Sequence, residues 1–162
     1  MLSEGGVSHL RPFFPAAEDF VAETAPHFQF LVDAFGFSEP VVTEQAEEAY
    51  DMRYDGGRTS VLLNWEVDGG FFACQLIPRL AGGELDTNYD HWLSPSEIMG
   101  ARGLGAQRVT PDALDGVDEA GYAQVMEREA RNLRTHCADV LRGDWSVYDA
   151  AHGWLERQAR GR

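Results

Sequence analysis

Lysine is absent from the 162 residues, so all 13 basic side chains are arginine. The arginines are scattered rather than gathered at one motif, which fits codon usage better than a demand for guanidinium chemistry and points to a GC-rich bacterial genome. Cysteine is nearly absent as well. Cys74 and Cys137 are far apart and stand at apolar positions; two such residues make no disulfide framework and are expected to be buried free thiols. No apolar run approaches the roughly 18 residues that a membrane-spanning helix needs. The opening MLSEGGVSHLRPFF lacks both a basic start and a long apolar stretch, so no signal peptide is expected and the cytoplasm is the expected compartment.

Motifs that name a reaction are also missing. There is no G-x-S-x-G elbow and no phosphate-binding P-loop. GLGAQR has Arg108 where a dinucleotide fingerprint needs its third glycine, and no strand precedes it. His9, His27, His136 and His152 are dispersed without metal-ligand spacing. His136 and Cys137 are adjacent on a helical pattern, which cannot put both side chains on one ligand face. No catalytic residue, metal or cofactor is therefore expected.

Acid is what the chain has in excess. The net charge is −14. Residues 1–127 hold 22 acids against 6 arginines, whereas residues 128–162 hold 5 acids against 7. A field of that sign repels phosphate backbones and steers cationic partners inward, so direct nucleic-acid binding is not expected and a basic protein is.

Hydrophobic periodicity indicates one α+β domain over residues 1–162. Phe28, Leu31, Val32 and Phe35 keep helical spacing, with Pro26 suited to a first helical position and Gly36 to the C-terminus; PAAEDFVAETA before it reads as a separate helix. A strand is expected around 40–45, followed by two hairpins marked by DGG. If Gly56 and Gly57, and then Gly69 and Gly70, form two-residue turns, Met52 faces Val61 and Trp65 faces Cys74. Both registers put Tyr50, Met52, Tyr54, Val61, Leu63, Trp65, Val67, Phe72, Cys74 and Leu76 on one face, which helices should cover. The fold expected is an antiparallel β-meander of about four strands with helices packed mainly on one face. Helices are predicted over 95–102 and 118–142, with Gly143 closing the second and Asp144 capping a final helix.

The stretch DTNYDHWLSPSE places Asp86, Asn88, Asp90, Ser94 and Glu97 at the first, third, fifth, ninth and twelfth places of an EF-hand loop. His91 then stands where the sharp turn needs glycine, and Pro78 with a glycine pair precludes the incoming helix. Ser94, Pro95 and Glu97 instead spell a capping box that opens the next helix. We expect no tight calcium site. Asp86, Asp90 and His91 remain an alternative acid–base group walled by Trp92, suited to a hydrolase or a weak metal site.

YDMRYDGGRTSVLLNWEVDGG and LRTHCADVLRGDWSVYDAAHGWL resemble segments of small uncharacterised acidic proteins of GC-rich bacteria, some of which resemble toxin-immunity proteins. The resemblance implies a non-enzymatic binding role. Its candidate surface is Glu44, Glu47, Glu48, Asp51 and Asp55 together with Leu62 and Glu66 of the outer sheet face. That face also carries Phe71 and Ile77, more apolar than solvent requires. We expect it to be covered by a partner, by a second copy in a homodimer that sets Asp51 and Glu66 against Arg53, or by the N-terminal segment around Leu10, Phe13 and Phe14.

Overall fold

A computed structural model describes residue 14 and residues 16–46, 49–66, 71–104, 112–113 and 119–161. Strands β1 (Val41–Ala46), β2 (Ala49–Asp55), β3 (Thr59–Glu66) and β4 (Phe71–Pro78) form an antiparallel meander, extended by the two-residue β5 (Asp112–Ala113). The described helices are α1 (Ala17–Phe28), α2 (Phe30–Asp33), α3 (Pro95–Ala101), α4 (Glu119–His136), α5 (Ala138–Leu141) and α6 (Tyr148–Arg160). This is the α+β architecture that the periodicity indicates. No helix among the described residues is long and apolar enough to cross a membrane.

The strand faces fall as alternation requires. Tyr50, Met52, Tyr54, Val61, Leu63, Trp65, Phe72, Cys74 and Leu76 are all buried, while Val67 lies outside the described residues. Trp65 meets Phe14 and Tyr122 edge-on, at centroid distances of 5.5 and 5.9 Å, and Phe20 stacks on Tyr50 at 5.8 Å. The helices thus cover this face, and each large side chain fully buried there contributes about 1.5–3 kcal/mol. Thr59 adds a polar tie. Its hydroxyl donates to the Val140 carbonyl at 2.6 Å and accepts from the Trp145 indole at 2.9 Å.

The registers differ from expectation by two residues at both hairpins. Met52 pairs with Leu63 and Asp55 with Ser60; Trp65 pairs with Phe72 and Glu66 with Phe71. A two-residue shift keeps every side chain on its face, because the pleat repeats every second residue. The physical reason is visible at the first turn. Gly56 is not in the left-handed region that a two-glycine turn demands. A Cβ there would stand 2.8 Å from both the Phe37 ring and the Thr59 carbonyl. Gly56 therefore serves close approach rather than positive φ, and its N–H bonds the Thr59 carbonyl at 2.9 Å across a wider loop. Gly69 and Gly70 lie outside the described residues.

Three helix boundaries also move. Pro26 sits inside α1 rather than opening a helix; in the last turn it removes one backbone donor, and the interruption falls at Gln29. The helix expected over 118–142 breaks at Cys137, where Arg102 takes the His136 carbonyl and pairs with Asp139; Asp118 lies outside the described residues. Asp144 accepts from the Ser146 N–H at 3.0 Å and shapes the turn before α6, while Val147 occupies the cap position. Gly36 and Gly143 have φ of 72° and 95°, as C-terminal closures require. Cys74 and Cys137 are both buried, and burial pushes the Cys137 thiol up to about 12.

Candidate functional site

The acidic group divides between the two faces of the sheet. Glu44 is exposed on β1 opposite Tyr50, on the helix side of the pleat. Asp51, Asp55, Leu62 and Glu66 belong to the other side; Glu47 and Glu48 lie outside the described residues. Asp51 is occupied within the chain, accepting from Gln45 at 2.8 Å and from Asn64 at 2.5 Å. Asp55 is more fully engaged. It accepts from Ser60 at 2.7 Å and from Arg53 at 2.9 Å, and Arg79 lies 3.1 Å away. Burial raises the cost of ionising Asp55, but the bonds from Ser60 and Arg53 and the two arginine charges outweigh it and hold the carboxyl below its ordinary value. Leu62 is half-buried and Glu66 is exposed.

The outer face is less open than its composition indicates. Ile77 and Ser60 are buried within the chain. Phe14 does not contribute to that cover, because it packs on the helix side against Trp65 and Tyr122. Leu10, Phe13 and the side chain of Phe71 lie outside the described residues.

The segment after β4 builds a second cluster. Consecutive Asx turns shape it: the Asp86 carboxylate accepts from the Asn88 N–H, and the Asn88 side-chain carbonyl from the Asp90 N–H, both at 3.0 Å. A 3-10 turn over Tyr89–His91 returns His91 to Asp86, with Nδ1 and Oδ2 2.6 Å apart. The hydrogen bonds from Asn88 and His91 hold the Asp86 carboxyl below its ordinary value. An ionised carboxylate only accepts, so Nδ1 of His91 carries the proton and neutral His91 keeps its lone pair on Nε2, 3.4 Å from the Asn88 amide. The Trp92 indole donates to the Asp86 carbonyl at 2.7 Å and stacks edge-on with Tyr89.

Helix α6 completes this cluster with two residues that sequence reasoning did not place there. Tyr148 and His152, one helical turn apart, both donate to the Asp90 carbonyl, at 3.3 and 2.5 Å. Tyr148 also meets the His91 ring at 6.0 Å. Their i, i+4 spacing was a readable sign that they share a face. Gly100 allows the approach of α6 to α3, since a Cβ there would overlap the Trp154 indole. Burial, then the charges of Asp149, Asp90 and Asp86, raise the Tyr148 hydroxyl.

Ser94 and Glu97 hold the capping role expected of them. The Ser94 hydroxyl accepts from the Glu97 N–H at 3.2 Å, with Pro95 at the first helical position. Burial dominates at Glu97 and raises its carboxyl, although bonds from Ser94 and the nearby His152 oppose the shift. Among the described residues no three His, Cys, Asp or Glu side chains converge in a way that could hold a metal ion. The arrangement offers a carboxylate-oriented imidazole, which is chemistry for moving a proton.

No protein-family model, curated protein or solved structure matches the chain.

Proposed function

We propose that this chain is a non-enzymatic binding protein whose partner is a basic protein met in the cytoplasm. The observation that carries the reading is β1. It lies at one end of the sheet order, and residues 41–45 are all exposed, in a chain of net charge −14. Exposed strand backbone offers directional hydrogen bonds, and the acidic field draws cationic partners while repelling nucleic acid. Asp51 and Asp55 already have partners within the chain, so the reading rests on the edge, Glu44 and Glu66. The resemblance of two segments to immunity-like proteins supports the same class. The test uses the tagged chain as bait in cells that make it. A basic partner recovered near one-to-one and released by salt is expected. Recovery of no partner, or of acidic partners alone, would overturn the reading.

The bond between Asp86 and His91 favours a second reading, a hydrolase in which His91 acts as general base. It predicts turnover of activated esters that His91→Ala abolishes and that falls as the imidazole is protonated. Equal background rates for both proteins would remove it.

A further inference from the structure

Resting on the reading of this chain as a binding module, we propose that the partner docks by strand addition, pairing a basic extended segment with the outer edge of β1 along residues 41–44. In an antiparallel strand, successive residues direct their N–H and C=O groups alternately to one neighbour and the other. β1 spends one set on β2, and no described strand takes the other set on its outer side. Val41 and Val42 project to opposite sides of the pleat and are 48% and 37% exposed. An added strand would cover part of both.

The window for pairing is bounded at each end. Pro40 precedes β1 and has no N–H to offer. At the other end the register shifts between Glu44 and Ala46, and the Gln45 side chain is turned onto Asp51. A bulge of this kind interrupts the ladder. Residues 41–44 are what remains, a short segment with two exposed valines and one exposed acid.

Charge decides the occupant. Between Phe28 and Met52 the sequence holds six acids and no arginine, lysine or histidine. A second copy pairing through β1 would bring two such segments together, and like charges on facing strands destabilise a ladder. A strand from another protein that alternates apolar and basic residues places its apolar groups by Val41 or Val42 and its cations within reach of Glu44 and Glu39. Main-chain bonds then supply affinity, and the alternating side chains supply selectivity.

The probe is a short, labelled peptide alternating arginine and valine, titrated into the full chain and read by fluorescence anisotropy and by backbone amide exchange. Binding is expected, with slowed exchange at the outward-facing amides within residues 41–44. The same peptide N-methylated at every residue keeps its charge but loses its donors, and should bind about tenfold more weakly or worse. A peptide with glutamate in place of arginine should not bind. Equal affinity for the methylated and unmethylated peptides would overturn strand addition while leaving an electrostatic binding module intact. Failure of the arginine peptide to bind would overturn the proposal even if the bait experiment recovers a basic partner. Slowed exchange in β1 that grows with protein concentration, without peptide, would make a second copy the occupant and overturn the assignment to a basic strand.

Discussion

Along the outer side of β4, the chain supplies its own neighbours. Leu76 and Leu93 exchange backbone bonds of 2.7 and 3.0 Å, the Asp86 N–H reaches the Pro78 carbonyl at 2.9 Å, and β5 pairs with Phe71 and Phe72. Along the outer side of β1, no described strand does so, and residues 41–45 are all exposed. Both edges begin with the same unpaired donors and acceptors. The closed edge converts them into local order: Leu93 is fully buried, Asp86 is positioned for His91, and Ser94 starts α3. Along β1 the outer backbone groups have no described strand as neighbour, and Pro40, a bulge and an acid limit their use. The candidate proton-transfer cluster thus belongs to the side the chain has finished, and the proposed docking surface to the side where no described strand is added.

Leu93→Ala should break the closed edge most severely. It removes a fully buried side chain, and urea unfolding should show a loss of about 2–5 kcal/mol. A loss below about 1 kcal/mol would mean that the segment merely lies against β4.

Asp55→Ala tests the polar tie at the same end of the sheet. It strips Arg53 and Arg79 of their shared carboxylate, and the expected cost near neutral pH is about 1–3 kcal/mol. Because the folded state holds this carboxyl below its ordinary 3.8, its ionic contribution is fully present above that value. It is lost as pH falls through the lowered folded value. Wild type and variant should therefore converge in strong acid and stay apart at pH 5–7, as followed by thermal unfolding. A gap that is the same at every pH would assign the effect to packing.

Glu97→Gln should act in the opposite direction. The folded state raises this carboxyl above 4.5, chiefly through burial, so its ionised form is disfavoured at neutral pH. That cost disappears as pH falls through the raised value toward the unfolded one. Glutamine keeps the capping geometry. A gain of about 0.5–1 kcal/mol at pH 7 that vanishes near pH 4 is expected in calorimetry. A loss at pH 7 would mean that the charge of Glu97 toward His152 outweighs its burial.

At the open edge, Val41→Thr and Val42→Thr should each change stability by less than about 0.5 kcal/mol. Exposed positions that cost more on substitution would show that β1 is covered after all, and the contrast between the edges would fail.

Much of this molecule was determined locally. Side chains alternate across a strand every second residue, so the buried set from Tyr50 to Leu76 was legible even though both hairpins pair two residues away from the simplest turn. The capping box at Ser94 and the glycine closures at Gly36 and Gly143 lie within one turn of the helix they serve, and they too were readable. Tertiary contact decided the rest. Gly56 is used for the approach of Phe37, and the break at Cys137 is accompanied by a guanidinium from Arg102. Asp55 is engaged by Arg79 and Ser60 rather than left free, and His152 reaches Asp90 across 62 positions of chain. The closing of the β4 edge was likewise settled by where the segment after β4 returns. Local sequence sets backbone preference and side-chain alternation, whereas partners distant in the chain become neighbours only when the core closes.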